Sequence, residues 1–195
     1  MTARAWMDEG TALFLSTLDD LSDDDLDAPS ALPGWTRKHL VAHVHYNAEA
    51  LRRLVSWAAT GVENRMYAGP EQRNAEIEAG ALLPAARLRE MAHASAAALA
   101  ADMDALPEAA WGNPVVTALG RTVPAAETPW MRTREVSIHA VDLAAGASFA
   151  DLPQEVNAAI AADALATHAA RGHAADLAAW LTGRADRAPA VGSWI

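Results

Sequence analysis

Hydrophobic residues recur with a helical period over four long stretches of this chain. Helices are predicted at about 3–21, 36–60, 84–103 and 128–145. Thr36 and Thr128 are predicted N-caps, Pro129 takes the first position of the fourth helix, and Gly61 ends the second. Four long helices predict a mainly α protein organised as a four-helix bundle.

Polar residues, prolines and glycines separate these helices. The stretch SDDDLDAPSALPGW is predicted to be a loop, and GVENRMYAGPEQRNAEIEAG a long connection with no more than one helical turn. VVTALGRTV is predicted to form a short hairpin. After Gly146 come two shorter Ala-rich segments, at 153–170 and 173–181. The predicted division is a bundle domain, 1–146, and an appendage, 147–195.

Composition and charge argue against several classes of protein. The 195 residues include 25 acidic and 15 basic side chains, a formal charge of −10, which argues against a nucleic-acid binder. The chain has no apolar run of about 18 residues, so no membrane-spanning helix is predicted. The N-terminus turns acidic too early for a signal peptide. Cysteine is absent, so a thiol must come from outside the chain. We expect a soluble cytoplasmic protein.

The stretch REVSIHAVDL places three polar residues in an apolar part of the fourth helix. Glu135, His139 and Asp142 are three and four residues apart, so they share one face. Such a pair of Glu and His on a helix is most often a surface contact. The apolar neighbours favour the alternative, because an unpaired buried carboxylate is costly and metal coordination would relieve that cost.

The second helix carries HLVAHVH, in which His39 and His43 share a face and His45 points elsewhere. One imidazole from this helix, with Glu135 and His139 from the fourth, would give three ligands inside a bundle. Three protein ligands with an open fourth position are typical of catalytic zinc. Ligation by nitrogen and oxygen also suits other divalent metals.

Two long segments resemble the mycothiol-dependent maleylpyruvate isomerases: LPGWTRKHLVAHVHYNAEAL and GRTVPAAETPWMRTREVSIHAVDL. The segment WAATGVENRMYAGPEQRNAEIEAG resembles them too, so the resemblance covers most of residues 30–146. It implies a DinB-like four-helix bundle with a catalytic zinc, followed by a small C-terminal α/β domain. It also implies that the zinc ligands are His43, Glu135 and His139, with His39 on the helix surface or behind the ligands.

The resemblance implies an enzyme that isomerises maleylpyruvate to fumarylpyruvate in gentisate breakdown, with mycothiol as cofactor. A metal-bound thiolate would add to the cis double bond, allow rotation and leave again. The expected partners are a small dicarboxylate substrate and a low-molecular-weight thiol, without nucleic acid or membrane, for a monomer or homodimer.

A dianionic substrate needs local cations in this acidic chain, and Arg73, Arg121 and Arg184 are the candidates. Arg184 ends LAAWLTGR, which resembles the closing helix of the family and implies a catalytic arginine. Only about 50 residues follow Gly146, so the C-terminal domain is shortened and its sheet is expected to be missing. Asn47 and Tyr67, with Arg73, are candidates for binding the cofactor.

Three alternatives stay open at this point. The same metal site would serve a mycothiol S-transferase of the DinB-like superfamily, or a remnant that binds metal without turnover. A zinc-containing anti-sigma module is the third, and the absence of cysteine counts against it. Asp142 either orients a ligand histidine from behind or caps the end of its helix.

Overall fold

The computed structural model describes residues 2–192, which form eight α-helices and one two-stranded antiparallel sheet. By contacts the chain divides into two units, one ending at Leu152 and the other beginning at Pro153. In chain order the helices of the first unit are α1 (Ala3–Asp19), α2 (Asp23–Asp27), α3 (Arg37–Thr60), α4 (Pro70–Ala81), α5 (Ala85–Ala105) and α6 (Thr128–Asp142). Among the described residues, no helix is both long enough and apolar enough to span a membrane.

The four long helices α1, α3, α5 and α6 confirm the predicted bundle. α3 packs against both α5 and α6, and α1 packs most extensively against α6. Apolar side chains that recur along one face of each helix meet in two buried clusters. One contains Leu51, Leu54, Leu99 and Met103, and the other contains Phe14, Leu18, Leu40, Leu88 and Leu143.

Both predicted ends of α3 are confirmed. The Thr36 hydroxyl accepts from the backbone N–H of His39, and the Thr36 N–H donates to Nδ1 of His39, so both termini of this capping box are satisfied. His39 is therefore occupied at the start of the helix. Gly61 ends α3 with φ of +73°, a left-handed conformation that glycine adopts without strain.

The predicted hairpin is also confirmed. β1 (Pro114–Val116) pairs antiparallel with β2 (Thr122–Pro124), with Val115 opposite Val123. Both valines are buried, and in the turn between the strands, residues 117–121, Thr117 is half-buried and the rest are exposed. The hairpin thus packs on the bundle through one face and presents its turn outward.

Two predicted loops contain helices, and those predictions were wrong. Ser22 and Asp25 form a capping box that starts the short helix α2. In the second loop α4 is three turns long, because Pro70 is well placed in its first turn and Ile77 is buried. Its apolar face is narrow, with Gly80 against Ala42 of α3, so the sequence shows little helical period there.

The start and end of α6 differ from the prediction. A 3-10 turn at Ala125–Glu127 leads directly into α6, so Thr128 is already helical and its hydroxyl donates to the carbonyl of Ala125 at 2.7 Å. It is therefore not the N-cap. The helix ends at Asp142 rather than near residue 145. Two residues later, Ala144 takes a left-handed φ of +51°.

The second unit contains α7 (Gln154–His168) and α8 (Ala174–Leu181), joined by a π-helical turn at Ala169–His173. Gly172 breaks the helical path there with φ of +100°. Residues 153–192 contain no strand. The 3-10 turn Phe149–Asp151 belongs to the first unit, which therefore extends past the predicted division at residue 146.

Candidate metal centre

Two helices bring the three predicted ligands together. His43 lies in the second turn of α3, Glu135 and His139 lie one turn apart on α6, and the two helices pack against each other. Nε2 of His43 is 2.9 Å and Nε2 of His139 is 3.3 Å from the same carboxylate oxygen of Glu135. The three potential ligand atoms all lie within 4.8 Å of one another.

These side chains are enclosed, so they are not a surface pair. The two histidines are each 5% exposed, and the side chain of Glu135 is 22% exposed. Their two imidazole nitrogens and one carboxylate oxygen converge from two helices. This donor set fits a divalent transition metal with room for an exogenous ligand.

Asp142 fixes the ring of His139. Its carboxylate accepts a hydrogen bond of 2.8 Å from Nδ1 of His139, so Nε2 is the ring nitrogen directed at Glu135. A carboxylate behind a ligand histidine sets the tautomer and raises the basicity of the ligand nitrogen. The structure therefore supports the orienting role of Asp142 rather than helix capping.

Charges are coupled within this cluster when no metal is bound. Burial alone would raise the pKa of Glu135, but its hydrogen bonds to His139 and His43 hold that pKa well below the usual value. Burial would lower the pKa of His139, yet its bonds to Asp142 and Glu135 raise it to about 9. Burial dominates at His43 and lowers its pKa. A metal must therefore displace a proton from His139.

The helix α4, which the sequence did not predict, brings Arg73 to the centre. Nη2 of Arg73 lies 3.4 Å from Nδ1 of His43, the ring nitrogen opposite the one that faces Glu135. Tyr67 lies just before α4, and burial, with the nearby charge of Glu135, raises its pKa to about 12 although the Arg73 cation opposes this. Tyr67 is therefore a neutral phenol at physiological pH.

Tyr67 and Arg73 also line a cavity of about 460 Å³ between the segment 65–70 and the hairpin turn 116–120. Arg65 adds a second cation to its wall. Another cavity of similar volume, about 470 Å³, lies along α3 and α5, where Arg52 is already paired with Glu49 and Asp102. The first cavity shares residues with the surroundings of His43 and Glu135, so we take it as part of the site.

Asn47, a predicted cofactor-binding residue, lies one turn after His43 and is buried. Its side-chain oxygen accepts a hydrogen bond of 2.8 Å from Nη1 of Arg132, and the same nitrogen donates to the carbonyl of Val44 at 2.7 Å. Sequence reasoning missed Arg132. Its position three residues before Glu135 could have indicated it, because residues at this spacing share one face of a helix.

The other two predicted cations, Arg121 and Arg184, are both exposed. Arg121 is exposed in the hairpin, and its backbone N–H donates to the hydroxyl of Thr117. Arg184 belongs to the second unit, is exposed, and donates from Nη1 to the carbonyl of Thr182. A role for Arg184 at the metal centre stays a prediction.

Comparisons with known proteins agree with this geometry. The family model described as the mycothiol maleylpyruvate isomerase N-terminal domain matches residues 7–144. The crystal structure of a mycothiol-dependent maleylpyruvate isomerase is similar, with 45% identity and a TM-score of 0.79 over 85% of this chain and 67% of that chain. A histidine-to-alanine mutant of such an enzyme is similar over the same shares, with 44% identity and the same TM-score. No curated protein sequence matches the chain.

Proposed function

The chain belongs to the mycothiol maleylpyruvate isomerase family, and we propose that it catalyses the mycothiol-dependent cis–trans isomerisation of maleylpyruvate to fumarylpyruvate. The observation that supports this most directly is the convergence of His43, Glu135 and His139 beside an open cavity. We propose zinc as the metal, because three N/O ligands with an open position suit a catalytic zinc ion. We place the reaction in gentisate breakdown in the cytoplasm.

The proposed roles of the metal and of its ligands follow from the donor set. A divalent cation held by the two imidazoles and the carboxylate would supply Lewis acidity that turns a bound thiol into a nucleophilic thiolate at neutral pH. The chain contains no cysteine, so its own side chains provide no competing thiol. Asp142 accepts from Nδ1 of His139 and so directs Nε2, the other ring nitrogen, toward the position of the metal.

The remaining proposed roles concern binding. Arg73 and Tyr67 border the cavity next to His43, so they can hold the anionic substrate or the cofactor there. A guanidinium binds a carboxylate through two parallel hydrogen bonds, which fixes its orientation as well as its charge. Asn47 acts through Arg132 in this arrangement, and Arg184 is proposed as the arginine contributed by the C-terminal segment.

The decisive experiment is an isomerase assay on zinc-loaded protein that follows maleylpyruvate absorbance with mycothiol, with glutathione and without a thiol. Turnover that requires mycothiol is expected. Protein that holds one zinc per chain but gives no turnover with any thiol would contradict the proposal and favour the transferase or the inactive remnant. In the same assay Arg184→Ala should keep its zinc and lose turnover, and an unchanged rate would exclude Arg184 from the reaction.

A further inference from the structure

Arg132 is a buried cation without an acidic partner. The residue is only 2% exposed. Both hydrogen bonds of its Nη1 go to neutral acceptors, Val44 O and Asn47 Oδ1. Within residues 2–192 no carboxylate lies at ion-pair distance from it. Proteins seldom bury a charge in this way unless a partner or ligand compensates it.

The environment of Arg132 shows the strain of this burial. Burial lowers its pKa to about 10, although the charge of Glu135 opposes that shift. The guanidinium is therefore still charged at neutral pH. Arg132 lies three residues before Glu135 on α6, so the two side chains share the face of the helix that carries the metal ligands.

Part of the guanidinium is left without a partner. Its Nε and Nη2 groups make no hydrogen bond among the described residues, and neither nitrogen is among the buried polar atoms that are sealed from solvent and unsatisfied. These donors therefore keep a small contact with solvent although the residue is buried. Asn47 and Val44 hold the other terminal nitrogen, so the direction of the free donors is fixed by α3.

The balance of charge at the centre points to an anionic ligand. Arg73 and Arg132 match the two carboxylates, Glu135 and Asp142, in number. A divalent ion on the ligands would then leave two uncompensated positive charges in a partly enclosed site. This local excess is opposite to the formal charge of −10 for the whole chain. A dianion with planar carboxylates would neutralise it.

We propose that Arg132 binds one carboxylate of the dicarboxylate substrate through its free donors, and that Asn47 is the positioning residue that holds it. This inference rests on the proposed function for the identity of the substrate. It assigns Arg132 a direct contact with the ligand, beyond its bridge between α3 and α6.

The test measures binding of maleate, a cis dicarboxylate, to the zinc-loaded protein by titration calorimetry without any thiol. Arg132→Met and Arg132→Gln should raise the Kd for maleate about ten- to a hundredfold, which corresponds to loss of a charge-assisted contact. Both should keep one zinc per chain, and KM for maleylpyruvate should rise more than kcat falls. Asn47→Ala should give a smaller rise in Kd, because the guanidinium stays but loses its anchor.

Arg89→Met is the matched control. Arg89 also bridges helices by donating to backbone carbonyls, those of Leu18 and Leu21, but it lies in the other part of the bundle beside Asp23. A purely structural role would make the two arginine variants alike: both would lower the melting temperature and neither would change the Kd for maleate. That result would overturn the proposal, as would a wild-type zinc protein that does not bind maleate.

A measurement on the wild-type protein tests the same contact even if the variants fail to fold. In ¹⁵N-arginine NMR spectra, maleate should shift the Nε signal of Arg132 and leave that of Arg89 unchanged. An unmoved Arg132 signal at saturating maleate would refute the contact. Because neither readout needs mycothiol or turnover, an inactive enzyme that binds maleate through Arg132 would contradict only the proposed function.

Discussion

Gly80 offers a quantitative test of how α4 is held against the helix that carries His43. A Cβ at this position would lie 2.6 Å from Cβ of Ala42 and 3.2 Å from a ring carbon of Tyr46. Ala42 is fully buried and immediately precedes His43 on α3. Since a Cβ is fixed to the backbone, Gly80→Ala can be accommodated only if α4 moves away from α3 by roughly 1 Å.

The expected size follows from two opposing effects. Overpacking a well-filled contact costs about 1–3 kcal/mol, whereas alanine in place of glycine favours a helix by up to about 1 kcal/mol. The net loss of stability should be about 1–2 kcal/mol, a fall in melting temperature of roughly 2–8 °C for a chain of this size. Arg73 belongs to the same helix and would move with it. KM for the substrate should therefore also rise while the zinc content stays constant.

Chemical denaturation in urea measures the change, with two controls. Gly112→Ala introduces a methyl group where no atom lies within 4 Å, so its effect should stay within about 0.5 kcal/mol. Ala42→Gly removes the opposing methyl group, so Gly80→Ala should cost less in that background. If Gly80→Ala stabilised the protein, or cost the same in both backgrounds, the close contact between α3 and α4 would be refuted.

Three further predictions concern the metal centre. Alanine in place of His43, Glu135 or His139 should abolish stoichiometric zinc in a metal analysis, whereas His93→Ala, at an exposed pair, should keep it; retention in all three variants would exclude these ligands. Asp142→Asn should weaken zinc binding about 10–100-fold in competition with a chelator, and unchanged affinity would mean that the carboxylate does not support His139. In metal-free protein the raised pKa of His139 stabilises the fold below its unfolded value of 6.5, and this contribution should disappear as pH rises through about 9. Urea unfolding after chelation should therefore show stability falling over that window, and a rise would contradict the sign of the shift.

Much of this site was predictable because its spacing is local. Glu135 and His139 are four apart on a helix whose apolar neighbours indicated burial, and the family resemblance selected His43 from the three histidines of α3. The structure then showed why the other two differ. His39 caps the start of α3, and Nδ1 of His45 bonds to the carbonyl of Met91 on α5.

The surroundings of the ligands were harder to predict because they depend on contacts distant in sequence. α4 has only a narrow buried face, since Gly80 lets it approach α3 without large side chains, and a helical period in the sequence depends on such side chains. The position of Arg73 beside His43 was therefore hidden. Arg132 gave a similarly weak signal, because the acceptors that hold it are a backbone carbonyl and one amide on another helix.

The arrangement of polar groups suggests why an acidic chain can still bind a dianion. Acidic side chains such as Asp8, Asp104 and Glu78 are largely exposed, where water and salt screen their charges. Arg132 is buried and Arg73 is half-buried, so their fields act in a medium of lower dielectric and weaken less with distance. In the proposed complex a ligand in the cavity would therefore interact chiefly with these two cations and the metal rather than with the net charge of the protein. Raising the salt concentration should consequently change the rate of substrate capture more than the preference of the enclosed site for a dianion.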